Sequence, residues 1–353
     1  MIKNILVTVP NLSLPGGVSA FWNALLPEFE KMDDVHFRPL EIGGHGRNVF
    51  GPLIDIWKLR KLTKLTTDLI ILNPSLGRRS FFRDAFLAKY LVYKNIPFVV
   101  IFHGWNLQFE KEIDKKFISF FQSTFGKAKK IFVLSNDFKD KLLSWGYQGE
   151  VVVTTTTVDA KLFDGSGNTK NRKNENTEPQ ILFLSRLIKD KGIYETISAF
   201  NNLINDKIVA KLIIAGSGEE LENIVSLVGD NEHILMAGHV EGQDKIDLYK
   251  NCTFYCLPSY SEGLPISVLE AMSFGKPVIT TPVGGLKNFF QDGVMGFFVQ
   301  PKKSSELEVI FRTLLHDEEL RNTIGNFNYN YAHQHIMSDK VAQKMLLEIM
   351  PYF

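Results

Sequence analysis

The stretch TFYCLPSYSEGLPISVLEAMSFGKPVIT, residues 253–280, predicts a buried strand, a turn, a helix and a second buried strand. The helix is expected to start at Pro265, because a proline's missing N–H has no consequence in the first helical turn. Two glutamates with seven residues between them flank this start, Glu262 in the turn and Glu270 in the helix. Continuous apolar strands separated by helices favour a parallel sheet that is covered on both faces.

The same alternation of strands and helices continues on both sides of one polar segment. Short apolar runs bounded by turns recur before residue 164 and after residue 179, with helix-length segments between them. Residues 164–179 are polar and almost free of large apolar side chains, which is typical of a linker. The sequence therefore predicts an α/β protein with two domains, residues 1–163 and 180–335, which bind ligand in the cleft between them.

The composition is that of an ordinary globular protein. Of 353 residues, 44% are hydrophobic and 22% are charged, and 40 basic against 39 acidic residues give a net charge of +1. This balance provides no global field for nucleic acid, so no nucleic-acid partner is expected. The two cysteines are too few for a disulfide framework, and no run approaches the roughly 18 apolar residues of a membrane span. These features predict a cytoplasmic protein.

The approach to the helix after Glu262 is a candidate anion site. Free N–H groups and the positive end of the helix dipole favour phosphate there, and glycine lets a ligand approach the backbone. Glu262 and Glu270 would then hold two hydroxylated parts of one ligand, with the phosphate between them. The alternative is that one glutamate complements the dipole while the other is solvated. The backbone residues of this candidate site are Gly263, Leu264, Pro265 and Ile266.

A second candidate cluster contains two cations. In LSRLIKDKGIYETISAF, residues 184–200, Arg186 follows a predicted strand and Lys191 precedes the glycine that opens the next helix. Both side chains can face one ligand there, arginine as a planar fork and lysine as a point charge. Together they would neutralise a diphosphate. A surface loop that merely carries charge is the alternative.

Glycines and one histidine mark three further turns after predicted strands. Gly216 and Gly218 form an incomplete and therefore weak dinucleotide fingerprint. Gly16 and Gly17 lie between the first strand and the first helix, where parallel sheets commonly bind ligands. His103 directly follows another buried strand, and a purely structural role is the alternative to a catalytic one.

Taken in order, these segments resemble the retaining GT-B glycosyltransferases of family 4. The resemblance is carried by the early Gly-Gly, the histidine after the fourth strand, SRL…KG, AGSGEE, the two-glutamate block and PVGGLKNFFQDGVMGFFV. It implies two Rossmann-like domains that face each other across a cleft. Residues 1–163 would bind the acceptor, residues 180–335 would bind the nucleotide sugar, and a C-terminal helix within 336–353 would cross back to the N-terminal domain.

The resemblance also implies roles for the acidic and basic candidates. Glu270 would hold the ribose hydroxyls of the donor, Glu262 the hydroxyls of its sugar, and the backbone of 263–266 the sugar and phosphate. Arg186 and Lys191 would neutralise the departing diphosphate in place of a metal ion, so no metal and no cofactor are expected. The sequence also lacks the D-x-D motif of metal-dependent transferases.

The remaining candidates are implied to contact other parts of the donor. The turn at Gly216 and Gly218 would lie beside the nucleotide, and the base would be recognised around Gly238 to Val240. Gly17, with its neighbour Gly16, would let the N-terminal domain approach the diphosphate. His103 would contact the donor sugar near the acceptor.

The resemblance therefore predicts a transferase that moves a hexose, with retention of configuration, from a nucleoside-diphosphate sugar to a glycan or lipid-linked acceptor. A UDP-sugar is favoured over GDP-mannose, and the expected process is synthesis of bacterial cell-surface polysaccharide or glycolipid. Since the motifs place no carboxylate nucleophile, the leaving phosphate is expected to take the acceptor proton on the same face. The alternative is a non-catalytic subunit that binds nucleotide sugars in a glycan-assembly complex.

Two segments of the first domain mix basic and aromatic residues. These are FGPLIDIWKLRKLTKL, residues 50–65, and GRRSFFRDAFLAKYLVYK, residues 77–94. Basic and aromatic helices can lie on an anionic bilayer, so peripheral contact with the inner face of the cell membrane is one interpretation. The alternative is that both segments form ordinary amphipathic helices that cover the sheet.

Overall fold

The chain divides into two compact units, each built on its own sheet. The N-terminal unit comprises Met1–Asp159 and Ser338–Phe353, and the C-terminal unit comprises Ala160–Met337. Each sheet has six strands, all parallel, which confirms the predicted α/β class. The computed structural model describes residues 2–14, 16–44, 51–63, 67–163 and 178–353.

The sheet of the N-terminal unit has the strand order β2-β1-β3-β4-β5-β6. Its strands are β1 (Lys3–Val9), β2 (Val35–Glu41), β3 (Leu69–Leu72), β4 (Phe98–Ile101), β5 (Lys130–Val133) and β6 (Glu150–Val153). The helices of this part of the chain are α1 (Gly17–Phe29), α2 (Gly51–Leu62), α3 (Arg78–Lys94), α4 (Leu107–Lys116), α5 (Ile118–Ser123) and α6 (Asn136–Ser144). Two apolar clusters cover its two faces: Ile5 and Val7 point into one, and Leu6 points into the other.

The last helix, α14 (Ser338–Ile349), belongs to the N-terminal unit. Its Val341 and Met345 pack in the same cluster as Trp22 of α1. Near its end, Glu348 pairs with Lys130 of β5 at 2.6 Å, and the Lys130 ammonium is almost fully buried. These contacts confirm the predicted return of the C-terminal helix to the N-terminal domain.

The sheet of the C-terminal unit has the strand order β12-β11-β10-β7-β8-β9. Its strands are β7 (Gln180–Leu184), β8 (Lys211–Ala215), β9 (Ile234–Gly238), β10 (Phe254–Leu257), β11 (Val278–Thr280) and β12 (Gly296–Phe298). Its helices are α7 (Ile193–Asn205), α8 (Leu221–Val228), α9 (Gly242–Asn251), α10 (Ile266–Ser273), α11 (Leu286–Phe289), α12 (Ser304–His316) and α13 (Glu318–His335). Strand β10, helix α10 and strand β11 are the predicted strand, helix and strand of residues 253–280.

One detail of that stretch differs from the prediction. Pro265 has an extended backbone (φ −71°, ψ 124°), so α10 begins at Ile266 and the proline is its N-cap. The Pro265 carbonyl accepts the first hydrogen bond from the Val268 amide at 3.2 Å. The proline therefore ends the turn and does not form part of the first helical turn.

The predicted linker, 164–179, lies outside the described residues except for its last two positions. Residues 160–163, which the prediction assigned to the first domain, form a short 3₁₀ turn in the C-terminal unit. The reason is that Phe163 stacks on Phe274, with ring centroids 4.7 Å apart. The assignment of acceptor binding to one domain and donor binding to the other stays a prediction.

Within the described residues, no helix combines the length and apolarity that crossing a membrane requires.

Candidate functional site

The candidate residues of the C-terminal unit follow the ends of neighbouring parallel strands. Arg186 comes two residues after β7, Gly216 directly after β8, and Glu262 in the turn after β10, while Gly238 is the last residue of β9. The carboxyl ends of parallel strands lie at one edge of a sheet, and ligands of such sheets bind there. The candidate residues that the sequence predicted therefore lie at one edge of the sheet of this unit.

Glu262 forms an ion pair with Lys191. The Lys191 ammonium contacts Oε1 of Glu262, and the two side chains are only 11% and 9% exposed. Ser259 donates a second hydrogen bond to the same oxygen at 2.7 Å. The other oxygen, Oε2, has no partner among the residues that the structure describes. Glu262 is therefore held by Oε1, and Oε2 is left available.

The turn that carries Glu262 rests directly on a glycine of the neighbouring loop. Gly284 has φ +53°, and a Cβ at this position would lie 1.9 Å from the carbonyl oxygen of Glu262. The amide of Gly285 donates to the Gly263 carbonyl at 2.5 Å. Only a residue without a side chain fits there, so Gly284 allows its loop to pack directly against the Glu262 turn and support it. The sequence analysis quoted Gly284 within PVGGLKN but gave it no role.

Arg186 differs from Lys191, although the sequence treated the two as equivalent cations. Its side chain is exposed, and within the described ranges its guanidinium has no hydrogen bond or ion pair. The backbone beside it is fixed, because the Leu187 amide donates to the Ser217 carbonyl at 2.9 Å. Arg186 is thus a free cation on an ordered loop, whereas the charge of Lys191 is already balanced by Glu262.

Gly216 and Gly218 have a packing role. A Cβ on Gly216 would lie 1.9 Å from the Ser185 carbonyl, and a Cβ on Gly218 would lie 2.3 Å from the Leu187 carbonyl. The two glycines therefore allow the loop after β8 to lie against the loop that carries Arg186. This close approach explains the Gly-x-Gly spacing without a dinucleotide.

Glu270 lies in α10 and is buried, with both carboxylate oxygens engaged. Lys245 of α9 contacts Oε1 at 2.7 Å, and the Tyr249 hydroxyl donates to Oε2 at 2.8 Å. Burial, reinforced by the charge of Glu270, raises the pKa of the Tyr249 phenol well above its ordinary value, so this phenol stays protonated and donates. The prediction missed both partners. Their spacing of four residues puts them on one helical face, but the sequence does not say what that face meets.

The start of α10 supplies backbone donors between the two glutamates. The amides of Gly263, Ile266 and Ser267 donate no hydrogen bond within the described part of the chain. Two residues of the predicted backbone site do not fit that description, because Pro265 has no N–H and Leu264 is buried. The Tyr255 hydroxyl, which lies 2.8 Å from both the Ser267 hydroxyl and the Leu184 carbonyl, anchors this helix start to the strand ends.

The predicted base-binding loop follows β9. Gly238 has φ +68°, and its carbonyl accepts a hydrogen bond from the Gly216 amide at 2.6 Å. Val240 is half-buried, between the exposed side chains of His239 and Glu241, which lie 2.9 Å apart. Gly238 and Val240 have no polar side chain, so they offer a ligand only backbone groups and one apolar surface.

His103 of the N-terminal unit follows β4 and has a defined tautomer. Its Nε2 lies 2.8 Å from Oδ1 of Asn73, and Asn73 uses its amide nitrogen to donate to the Thr8 carbonyl at 2.7 Å. Oδ1 is therefore the acceptor, and the proton of His103 is on Nε2. Burial lowers the pKa of His103 to about 3, so the ring is neutral at pH 7 and Nδ1 is an acceptor. Asn73 is a further residue that the sequence did not indicate.

Gly16 and Gly17 form the start of α1 in the same unit. Gly16 is the N-cap, in an extended conformation, and α1 begins at Gly17. A Cβ at Gly17 would have no atom within 4 Å, so the backbone there is accessible from outside. This opening is consistent with the predicted approach of a ligand.

The geometry of the C-terminal unit is that of a site for a phosphorylated ligand with hydroxyl groups. Two anchored carboxylates flank a row of free amides, and one unpaired guanidinium lies at the same sheet edge. In the part of the chain that is described, no group of three or more histidine, cysteine, aspartate or glutamate residues is arranged to hold a metal ion.

Comparison with known proteins agrees with this geometry. Residues 167–331 match the family model described as glycosyl transferases group 1. This match covers just under half of the chain. The protein is a glycosyltransferase that acts on nucleotide sugars, and the predicted family resemblance is confirmed at this level.

Relatives and a solved structure extend the match. The chain is 26% identical over 310 residues to an uncharacterized glycosyltransferase of Methanocaldococcus jannaschii, covering 80% of this chain and 75% of that protein. It is 32% identical to the capsular polysaccharide biosynthesis glycosyltransferase CapM of Staphylococcus aureus, over 41% of this chain but only 38% of CapM. The crystal structure of Anabaena HepE in complex with UDP and glucose matches with a TM-score of 0.75 and 17% identity, over 99% of this chain and 100% of that one. This likeness shows the fold, which is GT-B as predicted.

Proposed function

We propose that this glycosyltransferase moves a hexose from a UDP-sugar to a glycan or lipid-linked acceptor, with retention of configuration at the anomeric carbon. The observation that carries the proposal is the arrangement in the C-terminal unit: Glu262 and Glu270 are anchored on either side of free amides, with Arg186 unpaired at the same sheet edge. A nucleoside-diphosphate sugar has its ribose, diphosphate and sugar in the matching order.

Each part of the site then has one task. Glu270 accepts hydrogen bonds from the ribose hydroxyls, and the amides of Ile266 and Ser267 bind the diphosphate at the start of α10. Glu262 accepts from hydroxyls of the donor sugar through its unpartnered Oε2. Lys191 holds Glu262 in place through their ion pair, and it faces the diphosphate from the segment between β7 and α7.

The proposed reaction needs no protein nucleophile. The acceptor oxygen attacks the anomeric carbon on the face from which the diphosphate leaves, and the acceptor proton passes to a phosphate oxygen. Arg186 stabilises the negative charge that grows on the departing diphosphate. In the N-terminal unit, Gly17 contacts the donor phosphate, and neutral His103 accepts a hydrogen bond from the donor sugar through Nδ1.

The choice of UDP is supported by the HepE structure, whose complex contains UDP and glucose. A thermal-shift screen of the full chain with UDP, GDP and ADP tests it. At a hundredfold excess over Kd, a ligand that binds the folded state adds about 2.7 kcal/mol of stability. We expect UDP alone to raise the melting temperature. No shift with any of the three would contradict the proposal, and binding without transfer to any acceptor would favour a non-catalytic subunit.

We also propose that the protein contacts an anionic membrane surface peripherally through its N-terminal unit. Helix α2 exposes Leu53 and Trp57 at 62% and 63%, and Trp57 lies one turn before Arg60 and Lys61. Tyr93 of α3 is 77% exposed. Basic residues beside exposed apolar ones suit a bilayer with negatively charged headgroups. A lipid-linked acceptor and the synthesis of cell-surface polysaccharide or glycolipid are consistent with this, as is the likeness to CapM.

Co-sedimentation with vesicles tests the membrane proposal. We expect binding to vesicles that contain anionic lipid, less binding at high salt, and little binding to neutral vesicles. The double variant Trp57→Ser/Tyr93→Ser should bind weakly, while Leu143→Ser, which changes an exposed leucine of α6, should bind normally. Equal binding by both variants would show that α2 and α3 only cover the sheet.

A further inference from the structure

The position of Lys245 in the sequence of its helix cannot be explained by the stability of that helix. It is the fourth residue of α9, near the positive end of the helix dipole, where a cation is unfavourable. Its ammonium nevertheless turns inward and contacts Oε1 of Glu270 at 2.7 Å. The partner that explains this position is therefore a carboxylate of the proposed nucleotide site.

Lys245 and Glu270 can each form further hydrogen bonds beyond those within the protein. A lysine ammonium has three N–H donors, and across the described ranges Lys245 uses one, on Glu270. The Lys245 side chain is 23% exposed, so the other donors can reach a ligand. Each oxygen of Glu270 accepts one hydrogen bond, from Lys245 or from Tyr249, and can accept another.

A ribose diol needs both kinds of partner. Each hydroxyl donates one hydrogen bond and accepts others, but a carboxylate only accepts. A buried hydroxyl that meets Glu270 alone would leave its own oxygen without a donor. An ammonium beside the carboxylate supplies that donor, and their ion pair keeps both charges in place.

We propose that Lys245 binds the nucleoside directly, with its ammonium donating to the oxygen of a ribose hydroxyl whose proton Glu270 accepts. This inference rests on the proposed function and adds to it a second residue that selects ribonucleotides. The competing explanation is that Lys245 only holds Glu270 in position and never contacts the ligand.

Deoxynucleotides separate these two explanations. Calorimetric titrations of the full chain with UDP, 2′-deoxy-UDP and 3′-deoxy-UDP should show that the wild type prefers UDP over at least one deoxy analogue, by about tenfold or more. In Lys245→Met, UDP should bind about tenfold more weakly, while the affinity for that deoxy analogue should fall much less. The preference of the protein for UDP over the analogue should therefore be smaller in this variant. Lys250→Met, which removes a lysine from the same helix, is the matched control and should keep the wild-type values.

Each outcome has a defined meaning. If Lys245→Met weakens UDP and both deoxy analogues equally, or weakens none of them, Lys245 does not contact the ribose and the inference is wrong. If the wild type binds no nucleoside diphosphate, the proposed function is wrong, and the inference fails with it. Should Lys245→Met not fold, Lys245→Ala also removes the donor, and the same ratio of affinities decides.

Discussion

At the scale of single residues, the two glutamates are held differently, and this difference predicts different mutant phenotypes. Glu270→Ala should weaken binding of UDP and UDP-sugar alike, because the ribose is common to both ligands. Glu262→Ala should leave UDP binding nearly intact while transfer falls, because in the proposed binding mode this residue contacts only the donor sugar. The loss of UDP affinity in Glu270→Ala and the loss of transfer in Glu262→Ala should each be about 1.5–3 kcal/mol, or roughly ten- to a hundredfold.

Calorimetry with UDP and a transfer assay measure these two effects. Glu319→Ala, at an exposed position in the first turn of α13, serves as the control and should change neither. Equal losses of UDP affinity in Glu262→Ala and Glu270→Ala would contradict the division of roles.

The lowered pKa of His103 leads to a prediction about pH. The pKa of His103 is about 3 in the folded protein and near 6.5 in the unfolded chain, so the unfolded state binds the extra proton first as pH falls. The stability that neutral His103 contributes is thus complete above pH 6.5 and is lost progressively between pH 6.5 and 3. Denaturant unfolding from pH 7 to 4 should show a shallower loss of stability in His103→Gln than in the wild type. Parallel curves would show that His103 titrates normally.

At the scale of secondary-structure elements, β10, α10 and β11 were predictable from the sequence alone. Buried strands in parallel sheets are apolar on both faces, and Pro265 marks the start of the helix between them. The partners of the site residues were not predictable in this way. Lys245, Tyr249 and Asn73 meet their partners through tertiary packing, and Gly284 is required by a loop that the sequence pattern does not place. The predicted pairing of Arg186 with Lys191 likewise treated a free cation and an ion-paired one as alike.

The contact between Gly284 and the Glu262 turn predicts an effect on stability and on function. Gly284→Ala introduces a methyl group that cannot fit 1.9 Å from the Glu262 carbonyl, so the turn must move. We expect a loss of about 1–3 kcal/mol in the free energy of unfolding, together with reduced transfer. Gly229→Ala is the matched control, because Gly229 has nearly the same φ, +54°, but no atom within 4 Å of a Cβ. Equal effects of both changes would show that backbone strain alone matters.

At the scale of the whole molecule, the fold followed from the repeated strand and helix pattern, and the two-unit division from its interruption. The return of α14 to the N-terminal unit came from the resemblance to a family, since no local pattern reveals which sheet a final helix covers. Its contacts, such as Glu348 with Lys130, join residues more than two hundred positions apart.

The proposed handling of the diphosphate by protein groups predicts that the enzyme works without a divalent metal. Transfer should continue at an undiminished rate after exhaustive EDTA treatment, because Arg186 and the amides of α10 supply the positive charge. A transfer assay with EDTA, compared with the same assay after adding Mg²⁺, measures this. A complete loss of transfer that is reversed by added Mg²⁺ would show that a metal ion stabilises the departing diphosphate.

The central claim is that the free cation of the C-terminal unit drives departure of the diphosphate, and the rate of hexose transfer in Arg186→Ala tests it most directly. Because negative charge grows toward the transition state, the kcat should fall about a hundredfold or more, with a smaller loss of UDP-sugar affinity. Lys189→Ala, which removes an exposed lysine from the same loop, should keep the wild-type rate. Undiminished transfer by a folded Arg186→Ala variant would contradict the account.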